Sequence, residues 1–110
     1  MSRSDKEFLA DILDAARRLA EIVAQGREGY DNNWVVRSAV ERQLEIIGEA
    51  AGRLSEDLTL RRPDLPLQQA RAVRNRIVHD YLSIDPDTLW LTIVTSIPEF
   101  ASMVSDELEE

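Results

Sequence analysis

Apolar positions recur with a period near 3.6 in four stretches of the chain, and strict alternation of period two is absent, so the elements expected are helices rather than strands. The first begins at Ser4, where Ser4 and Glu7 form a capping box, and carries Phe8, Leu9, Ile12, Leu13, Ala16, Leu19, Ala20 and Val23 on one stripe. It is expected to stop before Gly26, read as a left-handed C-cap. The second opens at Asn32 or Asn33, either of which can cap, and its stripe is Val36, Ala39, Val40, Ile46, Ile47, Ala50 and Leu54. Gly48 and Gly52 sit four apart inside it, which costs helix propensity and points to a close helix–helix crossing. A loop with Pro63 and Pro66 follows, then a third helix over Leu67–Leu82. Asp85-Pro86 starts a fourth, the aspartate as cap and the proline in the first turn. Its apolar face is Leu89, Trp90, Ile93, Val94, Ile97 and Phe100, and Pro98 should kink or divide it. The acidic tail, Asp106 to Glu110, lies at the unfavourable end of a helix dipole and is expected to fray. The pattern predicts an all-α protein: one domain over residues 1–110, a four- to five-helix antiparallel bundle with the last helix kinked or split at Pro98.

Composition narrows what such a bundle can do. A chain of 110 residues with 44% hydrophobic content supports one modest core, and chains this short often recruit a second copy to bury more surface. No apolar run approaches the roughly 18 residues of a membrane span. Met1 to Lys6 lacks the apolar core of a secretory signal. The absence of cysteine excludes disulfides and thiolate metal sites and fits a cytoplasmic setting. One histidine among scattered carboxylates argues against a metal site, and no cofactor is expected. A net charge of -8 argues against a protein that coats nucleic acid non-specifically. Residues 61–76 break the acidic trend, with Arg61, Arg62, Arg71, Arg74 and Arg76 against Asp64 alone. Such an island suits a focused anionic ligand, although arginines near a helix end also complement its dipole.

Chemistry concentrates in Arg74-Asn75-Arg76-Ile77-Val78-His79-Asp80-Tyr81, which holds the only histidine. On a wheel of about 100° per residue, Arg74 falls inside the apolar arc of Leu67, Ala70, Val73, Ile77, Val78, Tyr81 and Leu82. A guanidinium cannot shed its charge, so Arg74 must face a carboxylate, a second subunit or a ligand groove. The structural alternative is an ion pair with Glu45 or Glu49, or a hydrogen bond with Gln43, which also sits near the centre of its stripe. His79 lies about 140° round from Arg74, while Asn75 shares its side. One straight helix therefore does not aim Arg74 and His79 at one atom: either the helix loosens near His79 or the site is composite between two subunits. A lone histidine near a helix end is otherwise a dipole-stabilised structural residue.

Arginine, four residues, histidine, one residue, tyrosine is the signature of the HepT-like branch of the HEPN superfamily, and Arg74, His79 and Tyr81 match it. The whole octapeptide is similar to the family's RN-hydrophobic-HDY string. Ile47-Gly48-Glu49-Ala50-Ala51, Trp90 and Ile97-Pro98 resemble the family's flanking segments, so the likeness spans most of the chain. This chain has Leu67 where such proteins often have tryptophan, and Ala72-Val73 where they often have Gly-Met; neither change removes a reactive group. The resemblance implies an all-α homodimer and a metal-independent endoribonuclease toxin of a type VII-like toxin–antitoxin pair. Its partner would be a cognate prokaryotic nucleotidyltransferase antitoxin that adenylylates the motif tyrosine, here Tyr81.

Metal-free RNA cleavage by a 2′-hydroxyl needs a base, an acid and positive charge at phosphorus, and one chain carries a single histidine. A two-fold interface places the same patch opposite itself and doubles the set. The expected roles are therefore Arg74 for phosphate binding and transition-state stabilisation and His79 for proton transfer. Asn75 would orient the histidine or substrate, Arg76 would add substrate charge, and Tyr81 would bind RNA and accept the modification. A non-catalytic docking module for a nucleotidyltransferase is the alternative, with a plain dimerising bundle behind it.

Overall fold

The computed structural model describes residues 4–109, which form seven α-helices joined by short connections. These are α1 (Asp5–Ala24), α2 (Arg27–Asn32), α3 (Trp34–Gly52), α4 (Glu56–Arg61), α5 (Leu67–Asp80), α6 (Pro86–Leu91) and α7 (Ile97–Glu109). A 3-10 turn over Tyr81–Ser83 ends α5, and a π-helical turn over Thr92–Ser96 joins α6 to α7. The long pieces α1, α3, α5 and the α6–α7 unit make the expected bundle: α1 packs on α3 and α7, and α3 on α5. Among the described residues there is no strand, and no helix is long and apolar enough to cross a membrane.

The core follows from the stripes. Ile12, Leu19, Tyr30, Val40, Ile47, Leu58, Ile93 and Val104 are its largest fully enclosed side chains. Four helix starts carry a side chain that accepts from the orphan backbone donors of the first turn. Ser4 accepts from the Glu7 amide, Asn33 rather than Asn32 accepts from Val35, Ser55 from Leu58 and Asp85 from Asp87, with Pro86 in the first turn of α6. Gly26 adopts φ 94°, yet it opens α2, and Gln25 is the residue that closes α1. The short α2 was not expected from periodicity. Its Tyr30 is buried against Trp90 and donates to the Pro86 carbonyl, while Arg27 lies over both rings and pairs with Asp31 and Asp87.

The interruption expected at Pro98 occurs just upstream of it. Proline lacks the N–H that would reach back four residues, and the backbone absorbs the mismatch as a π turn whose closing Ile97 amide donates to the Thr92 carbonyl. The acidic tail is not frayed through Glu107. Its carboxylate, 8% exposed, accepts from Arg61 at 2.8 Å and Arg62 at 3.1 Å, and α7 runs on to Glu109. These guanidinium bonds, Arg61 foremost, hold the Glu107 carboxyl below its ordinary range against the opposing pull of desolvation.

Candidate functional site

The ion pairs that secure α7 split the basic island in two. Arg61 and Arg62 are spent on Glu107, and Arg62 also grips Asp64, whose carboxyl it holds low. What remains for a ligand is the α5 group of Arg71, Arg74 and Arg76.

Glycine positions Arg74. An ideal Cβ at Gly48 would lie 2.6 Å from the Ala70 carbonyl oxygen and closer still to the Arg74 Cβ, so only a bare backbone lets α3 and α5 meet there. The crossing foreseen from Gly48 and Gly52 therefore serves to lay the Arg74 stem across α3. The ion pairs weighed from the sequence do not form. Glu45 is engaged by Arg42 at 3.5 Å, Glu49 by Arg53 at 3.6 Å, and Gln43 accepts from Arg18. Arg74 instead donates to the Oδ1 of Asn75 at 3.1 Å, and among the described residues it has no carboxylate partner. Asn75 thus steadies the arginine, where the sequence suggested the histidine or substrate.

His79 is the penultimate residue of α5 and is exposed. Among the described residues its ring has no hydrogen-bond partner. The helix ends immediately beyond it: Asp80, at φ -155° and ψ 48°, leaves the helical region and hands the chain to the 3-10 turn. This break falls two residues short of the expected end at Leu82. Tyr81 is 61% exposed, its hydroxyl likewise without a partner among the described residues. Arg76 clasps the turn, its Nη2 donating to the Ser83 carbonyl at 3.0 Å and to the Ser83 hydroxyl at 3.2 Å, while that hydroxyl donates to the Asp80 carbonyl. The clasp was not visible in the motif, because Ser83 lies outside it. Within one chain, then, Arg74 and Asn75 form one unit, Arg76 and Ser83 another, and His79 and Tyr81 flank the helix end.

The apolar arc expected on this helix is only partly buried. Leu67 and Ile77 are enclosed and Ala70 and Val73 half-buried, but Val78 is 41% and Leu82 85% exposed. An exposed apolar ridge beside an imidazole, a phenol and an uncompensated guanidinium is a surface built to be covered or to bind.

A helical bundle that ends one helix on this group defines a class, and comparison with known proteins identifies it. Residues 12–106 match the family described as Ribonuclease HepT-like, and the chain belongs to that family, within the HEPN superfamily. It is similar to the protein named "Putative RNase MJ1380" of Methanocaldococcus jannaschii, at 35% identity over 94% of this chain and 97% of that one. It is also similar to "Probable ribonuclease HepT" of Thermococcus cleftensis, at 32% identity over 89% of this chain and 90% of that one. "Putative RNase TTE0752" of Caldanaerobacter subterraneus is 28% identical over 98% of this chain and 97% of that one. No solved structure matches.

Proposed function

We propose that this chain is the ribonuclease toxin of a type VII-like toxin–antitoxin pair, cutting RNA in the cytoplasm without a metal ion or other cofactor. The observation that carries the reading is the end of α5, where Arg74 has no carboxylate partner and His79 and Tyr81 stand exposed and unbonded among the described residues. Membership of a family whose named relatives include ribonucleases supports it.

In this reaction the base removes the 2′-hydroxyl proton, the 2′-oxygen bonds to phosphorus, and the bond from phosphorus to the 5′-oxygen breaks as the acid protonates that oxygen. The products are a 2′,3′-cyclic phosphate and a 5′-hydroxyl. His79 moves the protons, one imidazole nitrogen being able to accept while the other donates. Arg74, held by Asn75, puts a planar, permanently charged fork on the phosphorane oxygens. Arg76 adds positive charge beside the strand and keeps the turn that carries Tyr81. A homodimer supplies the second histidine.

Tyr81 is the site at which a nucleotidyltransferase antitoxin adds adenylate. Its exposed hydroxyl is accessible to such an enzyme, and an added nucleotide brings bulk and negative charge to a surface that must admit an anion. The direct experiment compares RNA cleavage, in the presence of a chelator, by the parent, Arg74→Ala and His79→Ala. The parent should cut and the variants should lose about a hundredfold or more, as removal of an acid–base group does. Equal rates from all three would end the assignment.

A net charge of -8 favours a second reading, a docking module for a nucleotidyltransferase with no cleavage of its own. A parent protein that binds such a partner but leaves RNA intact, with or without added metal, would select it.

A further inference from the structure

Arg71 is the basic side chain of α5 that the proposed reaction leaves unused. It sits one turn before Arg74, about 4.5 Å back along the axis and about 60° round it. Its stem lies over Gly52, where an added Cβ would meet its Nε at 3.3 Å and its Cδ at 3.6 Å, repeating the arrangement that Gly48 gives Arg74. Among the described residues Arg71 has no hydrogen bond and no ion pair. Glu45 and Glu49 on the facing helix are already engaged by Arg42 and Arg53. Several arginines elsewhere are held by carboxylates, Arg17 by Asp14, Arg27 by Asp31 and Asp87, Arg61 and Arg62 by Glu107, and Arg18 and Arg37 donate to neutral oxygens. An exposed guanidinium without a counter-ion offers its whole fork to an incoming anion.

The face on which Arg71 lies gives that anion a direction. At about 100° per residue, Arg71, Arg74, Asn75 and Val78 share one side of α5, with His79 at its edge. All of these except the half-buried Arg74 are exposed. The track thus runs from the histidine, past the arginine that would hold the reacting phosphate, to a second arginine one turn on.

We propose that Arg71 binds the phosphate next to the scissile one, so that single-stranded RNA lies along this face of α5 from His79 toward Arg71. The proposal rests on the ribonuclease reading and adds a binding residue to it. Arg71 does not touch the reacting atoms, and its loss should weaken binding without slowing the chemical step.

The experiment measures anisotropy of a labelled, mixed-sequence single-stranded RNA bearing 2′-O-methyl groups, which cannot be cut. Arg71→Ala should raise Kd about 5- to 10-fold and lower the slope of log K against log salt by about 0.7, the share of one single-strand phosphate. Arg71→Lys should keep the slope, because it keeps the charge. Arg17→Ala, an exposed arginine elsewhere on the surface, should leave both unchanged. On cleavable RNA, Arg71→Ala should raise KM and leave kcat near the parent value. A dinucleoside monophosphate, which lacks the neighbouring phosphate, should be cut equally by parent and variant. Arg71→Gln replaces the alanine variant if the latter does not fold.

An unchanged Kd and salt slope in Arg71→Ala, while Arg74→Ala still loses cleavage, would overturn the role of Arg71 and leave the ribonuclease reading standing. A matching loss in Arg17→Ala would overturn it too, by showing a bulk charge effect. So would a loss confined to binding of a protein partner. A parent that neither binds nor cuts RNA would remove both proposals together.

Discussion

Replacing Gly48 by alanine tests the contact on which the placement of Arg74 depends. The added Cβ would press on the Ala70 carbonyl oxygen at 2.6 Å and on the Arg74 side chain, with its Cγ at 3.1 Å and its Cβ nearer. Neither neighbour is the loose end of a side chain, so α5 as a whole must retreat from α3. Overpacking against backbone this close costs about 2–3 kcal/mol, the upper part of the usual range, and alanine returns about 1 kcal/mol in helix propensity. A net loss of about 1–2 kcal/mol is expected, which lowers Tm by roughly 4 °C or more per kcal/mol in a domain of this size. Gly52 provides the internal control. There the atom first met is the flexible Nε of Arg71 at 3.3 Å, and the position is exposed, so Gly52→Ala should gain about 0.5–1 kcal/mol. Urea unfolding followed by circular dichroism at one fixed protomer concentration measures both, the fixed concentration being needed if the chain dimerises. A Gly48→Ala protein as stable as the parent, or a Gly52→Ala protein that falls equally far, would refute the reasoning. Retention of full cleavage by a folded Gly48→Ala would show that Arg74 need not sit where the crossing puts it.

Glu107→Gln removes the carboxylate that ties α7 to Arg61 and Arg62, and thermal unfolding should show a Tm lower by several degrees at neutral pH. Because the folded carboxyl titrates below its unfolded value, its contribution is present above the ordinary carboxylate range and lost as pH falls through the folded value. The gap between parent and variant should therefore close on acidification; a gap that is constant with pH would reject the assignment. Tyr81→Phe should change stability by no more than about 0.5 kcal/mol, since the side chain is exposed, yet abolish adenylate incorporation as read by mass spectrometry with a cognate nucleotidyltransferase and ATP. Tyr30→Phe leaves the Pro86 carbonyl without its donor and should cost about 1 kcal/mol in chemical unfolding, with no effect on cleavage.

Periodicity and caps made the long helices legible. The stripe from Phe8 to Val23, the Asn33 cap and the Asp85-Pro86 start each appear where local chemistry alone requires them. The helices α2 and α4 escaped because six residues are too few for a period to declare itself. Tyr30 is buried by Trp90, sixty positions away, and no local pattern marks that partner. The Glu107 pairing was hidden for the same reason: a dipole argument is local, and the arginines that overrule it come from α4 and the loop after it. At the candidate site the residue types were legible and their partners were not. Of the partners weighed for Arg74 beside a second subunit and a ligand groove, Glu45 and Glu49 each already had an arginine close in sequence, at i−3 and i+4.

Those local pairs explain how an acidic protein keeps a surface fit for an anion. With a net charge of -8, the long-range field repels RNA, and only short-range contacts can hold it. On α3 and its cap, Arg42 pairs with Glu45 and Arg53 with Glu49, and Gly48 and Gly52 leave room for two arginine stems. Those two carboxylates are thereby engaged before Arg71 or Arg74 could pair with them. A ligand held in this way touches few phosphates, so its binding should show a shallow salt slope, near 0.7 per phosphate contacted. A slope several times steeper would mean that the strand runs well beyond α5.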